Sequence, residues 1–168
     1  YLCFKYKKIV ADAGYESEEN YLFLEANEQL SFIKPANYEI SKTKKYQNDI
    51  SRVENMEYHE EGDYYMCKNG KKLVLTGIRK DKSKTGYISE KSLYSCEDCT
   101  GCPYKEKCIK GNNCKTPLEV RTKHLQVSKK FLAQRVTDLE RILTEEGCNL
   151  RMNRSIQAEG TYGTIKWN

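Results

Sequence analysis

The first 34 residues follow a strand–helix–strand pattern, which limits the folds open to this chain. Residues 7–11 (Lys-Lys-Ile-Val-Ala) predict a short strand, and residues 30–34 predict a second strand that stops at Pro35. Between them, residues 17–27 predict a helix whose N-cap is Ser17. Strand, helix and strand joined by short links are typical of a βαβ unit. We therefore expect an α/β fold.

Asp12 directly follows the first predicted strand and stands two residues before Gly14. Open α/β sheets bind their ligands outside the carboxyl ends of the strands, where Asp12 is expected to lie. A lone aspartate at a strand end is more often a turn or cap residue than a catalytic group. A role in chemistry would therefore require a second acidic residue from another segment.

The second acidic candidate is Glu159, in a helix predicted to begin near Cys148. Lys166 follows Glu159 by seven residues, or two helical turns, so both side chains are expected on one face. Two-metal phosphoryl transfer needs carboxylates from separate segments, and Asp12 with Glu159 would meet that need. Arg154 stands five residues before Glu159 and points to one side of it, which suits contact with DNA phosphates. A solvated basic helix face is the alternative.

The middle of the chain predicts a small β-structure. Three segments have strand-like composition: residues 64–67, 72–76 and 85–89. Asn69-Gly70 between the first two is a strong hairpin signal. Residues 36–60 are polar, with room for a helix, and residues 95–115 predict a loop.

A second long helix is predicted from Ser128 to about Leu143, with a break at residues 144–147. Its apolar residues recur at helical spacing: Phe131, Leu132, Val136, Leu139, Ile142 and Leu143.

Charge is distributed unevenly along the chain. Residues 68–130 contain 16 Lys or Arg and 6 Asp or Glu, whereas the rest contains 13 and 18, and the net charge of the whole is +5. A basic block of this kind favours a polyanion such as DNA or RNA as partner. A solubilising surface is the alternative. The sequence has no apolar run near the roughly 20 residues of a membrane span and no signal peptide.

Cysteines are concentrated in the basic block. The chain has 8, and four of them form the run Cys96-x2-Cys99-x2-Cys102-Pro-x4-Cys108. Without a secretory signal, this spacing favours metal ligation over disulfides, and zinc is the default ion. The expected zinc ligands are Cys67, Cys99, Cys102 and Cys108, with Cys96 as the alternative to Cys67. Iron–sulfur ligation and unligated thiols remain open.

Three segments together resemble DDE-type transposases of bacterial insertion sequences. The first is Val10-Ala-Asp12-Ala-Gly14-Tyr15-x-Ser17-Glu18-Glu19-Asn20, similar to the second-Asp motif of that family. The second is Cys99-Thr-Gly-Cys102-Pro-Tyr-Lys-Glu-Lys-Cys108, similar to a cysteine element in one branch. The third is Arg154-Ser-Ile-Gln-Ala-Glu159-Gly-Thr-Tyr-Gly-Thr-Ile-Lys166, similar to the segment with the catalytic Glu.

The resemblance implies a ribonuclease-H-like fold with a strand-rich, cysteine-bearing insertion. It implies that Asp12 and Glu159 are the second and third carboxylates and bind two Mg²⁺ or Mn²⁺. It also implies that Arg154 and Lys166 contact DNA. Arg151, which stands where the family signature has Tyr, is a further DNA-binding candidate, and Arg154 precedes Glu159 by one residue more than in the signature.

The resemblance further implies three segments: residues 1–60 as the second-Asp half of the core, 61–125 as the insertion and 126–168 as the helices with the catalytic Glu. Nothing before Asp12 matches the strand of the first Asp. We therefore expect the C-terminal half of a catalytic domain, inactive by itself. The implied partners are transposon ends and target DNA, bound by a homodimer in the bacterial cytoplasm at the nucleoid. The alternatives are a non-catalytic zinc module that binds nucleic acid and a plain nuclease.

Overall fold

The computed structural model describes residues 4–111 and 114–166, with the side chains of all of these except 159 and 161–166. The chain divides into two compact units. Unit 1 combines residues 1–38 with 130–168, and unit 2 is the continuous segment 39–129. Helices and strands occur in both, which confirms the mixed α/β class. None of the helices within the described ranges is both long and apolar enough to cross a bilayer.

Unit 1 contains the predicted strand–helix–strand element. Strand β1 (Lys8–Ala11), helix α1 (Glu18–Ala26) and strand β2 (Leu30–Ile33) follow one another, and the two strands pair in parallel. The register joins Lys8 to Leu30 and Ala11 to Ile33. Ser17 caps α1, since its hydroxyl accepts a hydrogen bond of 3.1 Å from the backbone N–H of Asn20. The βαβ prediction is confirmed.

A small apolar core holds this element against helix α4 (Lys129–Leu143). Tyr21, Leu24 and Ile33 form its buried centre, and Phe131 of α4 packs against them. The rings of Tyr21 and Phe131 have their centroids 6.1 Å apart. Phe131 of the apolar stripe predicted for α4 therefore packs on this core, and Ile142 is fully buried. The prediction is wrong for Val136 and Leu143, which are 55% and 54% exposed.

Helix α5 (Glu145–Lys166) follows α4 after the single residue Thr144. Its start was predicted near Cys148 and lies three residues earlier because the Thr144 hydroxyl accepts the backbone N–H of Gly147 at 3.0 Å and caps the first turn. Gly147 is required at this junction. A Cβ atom there would lie 2.3 Å from the carbonyl oxygen of Arg141 and 2.6 Å from the Cα of Ile142.

Unit 2 is built on an antiparallel sheet of five strands in sequence order. The strands are β3 (Glu57–His59), β4 (Tyr64–Met66), β5 (Lys72–Lys82), β6 (Ile88–Cys96) and β7 (His124–Val127). The Asn69-Gly70 hairpin between β4 and β5 is confirmed, with Gly70 at a φ of +70°. Helices α2 (Lys44–Gln47) and α3 (Lys105–Cys108) are single turns outside the sheet.

The strand predicted over residues 85–89 is wrong in its first half. Residues 83–87 form the turn between β5 and β6, in which the backbone N–H of Ser83 donates to the carbonyl of Tyr87 at 2.8 Å. Gly86 takes a φ of +94°, which a strand residue does not adopt. Composition favoured a strand there, but the turn residues Ser83 to Gly86 decide the local structure.

Candidate active site and cysteine cluster

Asp12 lies at the carboxyl end of β1, where the sequence predicts it. A short 3-10 turn over Ala13–Tyr15 follows, and the backbone N–H of Tyr15 donates to the Asp12 carbonyl at 2.9 Å. The carboxylate itself points outward, and its side chain is 61% exposed. Strand and turn therefore fix the backbone of Asp12 and leave its carboxylate at the surface.

The turn after Asp12 is anchored by the buried carboxylate of Glu16. Arg135 of α4 donates to Glu16 through Nε at 2.6 Å and through a terminal nitrogen at 3.0 Å. The backbone N–H of Ala36 donates to the same carboxylate at 2.8 Å. Glu16 thus ties the segment after β1 to the segment after β2 and to α4. The sequence pattern does not indicate this role for Glu16, whose partner Arg135 lies 119 residues away.

Arg154 of α5 faces Asp12 directly. Its two terminal nitrogens donate to the two carboxylate oxygens of Asp12, each at 2.5 Å. This two-point geometry is the strongest form of arginine–carboxylate pairing. The structure therefore brings together two of the predicted site residues from opposite ends of the chain. A metal ion or phosphate that enters here has to share or displace this pair.

A surface cavity of about 350 Å³ surrounds the pair. Its charged lining consists of Asp12, Lys34, Arg151 and Arg154, and Ser155 lies beside them. Lys34 and Arg151 both approach the ring of Tyr38, at 5.5 Å and 5.4 Å from its centroid. Three cations around one carboxylate make the cavity suited to phosphate groups. Sequence reasoning missed Lys34 and Ser155, because only the fold brings them to Asp12.

The other predicted residues of this site are Glu159 and Lys166. Both lie in α5, whose backbone is described to Lys166, but their side chains lie outside the described residues. Arg151 also donates to the sulfur of Cys148 at 3.6 Å, so contacts within its own helix and the Tyr38 ring position it.

Five cysteines of unit 2 converge on one small cavity of about 20 Å³. The cysteines in its lining are Cys67, Cys96, Cys99, Cys102 and Cys108. The set contains the four predicted zinc ligands and the predicted alternative. All of these thiols are free, and burial raises the pKa of Cys96 to about 12 and that of Cys108 above its usual range.

Lys123 closes this cavity and was not foreseen from the sequence. Its ammonium group donates to the carbonyl oxygens of Ser51 at 2.8 Å and Cys108 at 3.1 Å. Its backbone N–H donates to the sulfur of Cys99 at 3.4 Å. Burial lowers the pKa of Lys123, against the opposing pull of the neighbouring Cys108. One residue therefore fastens the cysteine loop to the rest of unit 2.

A family model described as a transposase DDE domain matches residues 66–168, which is well over half of the 168 residues. The chain belongs to this transposase family. No curated protein and no solved structure matches the chain. The family resemblance drawn from the three sequence motifs is confirmed.

Membership of the DDE transposase family makes DNA the substrate and connects the chain with transposition-related DNA cleavage by a metal-dependent enzyme. The matched range includes the cysteine cluster and α5 but begins after Asp12. The family match therefore assigns no role to Asp12.

The DDE family uses divalent metal ions, and the donors near Asp12 fit such ions in part. A carboxylate oxygen is the ligand that Mg²⁺ and Mn²⁺ prefer, and Asp12 offers two of them. Within residues 4–111 and 114–166, no group of three or more described His, Cys, Asp or Glu side chains is arranged to hold a metal ion. Among the described side chains that line this cavity, Asp12 is therefore the one carboxylate.

Proposed function

We propose that this chain forms part of the catalytic domain of a DNA transposase that cleaves and joins transposon ends by two-metal phosphoryl transfer. The observation that carries the proposal is the meeting of Asp12, at the end of β1, with Arg154 of α5 in a cavity lined by three cations. Carboxylate and cations side by side are what a metal-bound phosphodiester requires.

In this proposal Asp12 and Glu159 are the two carboxylates that the chain provides. Ser155 lines the cavity of Asp12, and position 159 follows it by one turn on the same face of α5. Bound Mg²⁺ or Mn²⁺ would activate a water or a 3′-hydroxyl and stabilise the leaving oxygen. Arg154 would hold the Asp12 carboxylate in place before metal and DNA bind.

We assign the contacts with DNA phosphates to the cations that surround the Asp12 carboxylate. Lys34 and Arg151 flank Asp12 in the cavity, and Lys166 lies further along α5. If a metal ion were bound to Asp12, Arg154 would be released from this pair and could contact phosphate as well. Guanidinium groups suit this task because they contact two phosphate oxygens at once.

The proposed framework is a ribonuclease-H-like core with unit 2 as its insertion. The parallel pair β1–β2 with α1, followed by α4 and α5, supports the core assignment. Unit 2 lies in sequence between the two parts of unit 1, as an insertion would. We also propose a homodimer on paired DNA ends, at the bacterial nucleoid.

The test is a cleavage and strand-transfer assay with the protein that contains this chain, on its own DNA ends in Mg²⁺ or Mn²⁺. Asp12→Asn and Glu159→Gln should each abolish both reactions while DNA binding persists. Glu25→Gln, on an exposed position of α1, is the matched control and should retain activity. Unchanged cleavage in Asp12→Asn or Glu159→Gln would place the chemistry elsewhere.

The products of the same assay separate the alternatives. Cleavage without joined products would identify a plain nuclease of the same fold. DNA binding without cleavage, in wild type and variants alike, would favour the non-catalytic zinc module.

For the cysteine cluster we propose a structural zinc ion held by Cys99, Cys102, Cys108 and either Cys67 or Cys96. The convergence of five thiols on one cavity supports this, although the thiols have to move to enclose an ion. Zinc should raise the melting temperature of the chain, and a chelator should reverse the rise. Cys102→Ser should remove the effect, while Cys148→Ser, at an exposed cysteine of unit 1, should retain it. Equal melting temperatures with and without zinc would refute the site.

A further inference from the structure

Strands β5 and β6 of unit 2 extend beyond their neighbours in the sheet. On one side, β4 pairs only with Lys72 to Val74 of β5. On the other side, β7 pairs only with Ser92 to Ser95 of β6. Residues 79–82 therefore pair with residues 88–91 and with no other strand in the described part of the sheet. Together with the turn at 83–87 they form a two-stranded ribbon, here named the β5–β6 ribbon (residues 79–91).

A β-bulge lies just before the point where the ribbon leaves the sheet. The register between β5 and β6 shifts between Leu75 and Gly77. The side chain of the extra residue, Thr76, donates to the carbonyl of Leu93 at 3.1 Å. Bulges bend a strand and increase its twist, so we expect this one to bend the ribbon relative to the rest of the sheet.

The ribbon is basic. It contains five Lys or Arg residues and two acidic residues. Asp81 is paired with Arg79 at 2.8 Å and with Lys91 at 2.7 Å, and Glu90 is paired with Lys80 at 3.1 Å. The two remaining cations of the ribbon are Lys82 and Lys84, at its outer end.

Lys82 and Lys84 are exposed, and neither takes part in an ion pair within the described part of the chain. A side-chain hydrogen bond closes the turn at residues 83–87, which contains Lys84, since the Ser83 hydroxyl accepts the backbone N–H of Tyr87 at 3.0 Å. Ile88, opposite Lys82 in the register, is 56% exposed. The outer end therefore combines two uncompensated charges with an accessible apolar group on a preorganised turn.

We propose that the β5–β6 ribbon binds duplex DNA by lying in its major groove, with Lys82 and Lys84 on the flanking phosphates. The inference rests on the proposed function, which makes DNA the substrate. Paired strands lie about 5 Å apart, and the major groove is about 12 Å wide, so it admits such a ribbon. Four paired rows extend roughly 10 Å, comparable with a groove depth of about 8.5 Å.

The charge pattern of the β5–β6 ribbon favours DNA over a second copy of this chain as its binding partner. Free strand edges can pair with other chains, but lysines on an edge oppose that. A surface with uncompensated cations and an exposed isoleucine suits phosphates and thymine methyl groups instead. Self-association through the ribbon is thus an outcome that would count against the inference.

The first experiment measures binding of the chain to a 30-base-pair DNA duplex of arbitrary sequence as a function of salt. The double variant Lys82→Gln/Lys84→Gln should lower the slope of log K against log salt by about two, because each lost phosphate contact removes roughly 0.9. Affinity at 0.1 M salt should fall about 10- to 60-fold by the same relation. Thermal unfolding should be unchanged, since both side chains are exposed.

The matched control is Lys44→Gln/Lys45→Gln, which removes the same charge from exposed positions of α2 in unit 2. This control variant should weaken binding to the DNA duplex only slightly. Equal losses in the two double variants would mean that net charge, not the ribbon, governs binding, and would overturn the inference. Concentration-dependent dimers of wild type that the ribbon variant abolishes would overturn it as well.

A second experiment tests the groove. The chain should protect guanine N7, a major-groove atom, from methylation, and Lys82→Gln/Lys84→Gln should lose that protection. Duplex RNA of the same length should compete poorly, because its major groove is too narrow for a ribbon. Equal competition by RNA or unprotected N7 would refute the groove assignment.

Failure of this inference is distinguishable from failure of the proposed function. If the ribbon variant binds DNA like wild type while Glu159→Gln abolishes cleavage, the ribbon inference is wrong and the proposed function stands. If the ribbon variant loses binding while Glu159→Gln leaves cleavage intact, the catalytic assignment is wrong and the ribbon inference stands.

Discussion

Asp138 is the clearest example of a single residue on which unit 1 depends. It is 1% exposed, and one carboxylate oxygen accepts the backbone N–H of Ile33 at 2.8 Å. Arg141 lies beside it at 3.4 Å and also donates to the carbonyl of Ser31 at 2.9 Å. Burial raises the pKa of the Asp138 carboxyl. The pair thus satisfies polar groups of β2 that would otherwise be buried without partners.

Asp138→Ala should lower the free energy of unfolding by about 1–3 kcal/mol, because the N–H of Ile33 would lose its acceptor inside the protein. Asp138→Asn retains an acceptor oxygen and should cost less. Urea denaturation of the two variants measures the difference. An alanine variant as stable as the asparagine variant would contradict the assigned role.

Gly147→Ala should also destabilise unit 1, by about 1–3 kcal/mol, because the new Cβ would meet backbone atoms of α4 that cannot move aside. Helix propensity alone predicts the opposite sign, since alanine is favoured over glycine by about 1 kcal/mol. Gly160→Ala is the matched control in the same helix, with no atom within 4 Å of the new Cβ, and should be neutral or stabilising. Thermal unfolding of both variants decides between steric and propensity effects.

Residue-level prediction from sequence succeeded where the cause is local. Ser17 caps α1 and Gly70 turns the hairpin because their neighbours in sequence define both roles. Glu16 and Asp138 were missed because their partners lie 119 and 105 residues away. Asp12 was predicted from its strand-end position, but its pairing with Arg154, 142 residues away, was not.

At the scale of elements, one carboxylate links three parts of unit 2. A single oxygen of Asp63 accepts from Tyr58 at 2.9 Å, Tyr94 at 2.6 Å and Lys129 at 2.7 Å. Tyr58 lies in β3 and Tyr94 in β6, while Lys129 begins α4. The hydrogen bond from Lys129 contributes most to holding the pKa of Asp63 below its usual range. The hydrogen bonds from the hydroxyls of Tyr94 and Tyr58 lower this pKa further.

This link should make the stability of unit 2 fall in acid. Because the folded-state pKa of Asp63 lies below its unfolded value of about 3.9, its contribution is full above that value and is lost as pH falls through the folded pKa. Asp63→Asn should therefore melt lower than wild type at pH 7, with a difference that shrinks below about pH 4. Asp63 and Lys129 are both partly exposed to solvent, so the difference in melting temperature is expected to be modest.

Melting temperatures of both proteins, measured from about pH 2.5 to pH 7, provide the test. Asparagine is a fair replacement because Asp63 has a φ of +47°, a conformation that asparagine tolerates. A difference that stays constant over the whole range would show that the charge of Asp63 contributes nothing.

Element prediction worked best for long or capped segments. Helix α4, the capped α1 and the short strands β1, β2 and β4 were all predicted, whereas β3 and β7, of 3 and 4 residues, were not. The length of β5, 11 residues instead of the predicted 5, depends on its pairing with β6, which composition does not reveal.

At the scale of the whole molecule, unit 2 is continuous in sequence and unit 1 is not. A chain of residues 39–129 alone should fold, with a β-rich circular dichroism spectrum and cooperative unfolding. Residues 1–38 alone should remain unfolded, because Phe131 and Arg135 complete their core and their buried ion pair. Cooperative unfolding of residues 1–38 by themselves would contradict the division into units.

The discontinuity of unit 1 also determines the order of events during synthesis. The ribosome completes unit 2 before it makes most of α4, so unit 2 can fold while the βαβ element still lacks Arg135 and Asp138. Strands β1 and β2, although made before unit 2, are therefore expected to reach their final structure after it. During that interval Phe32 and Ile33, both 1% exposed in the finished protein, remain uncovered.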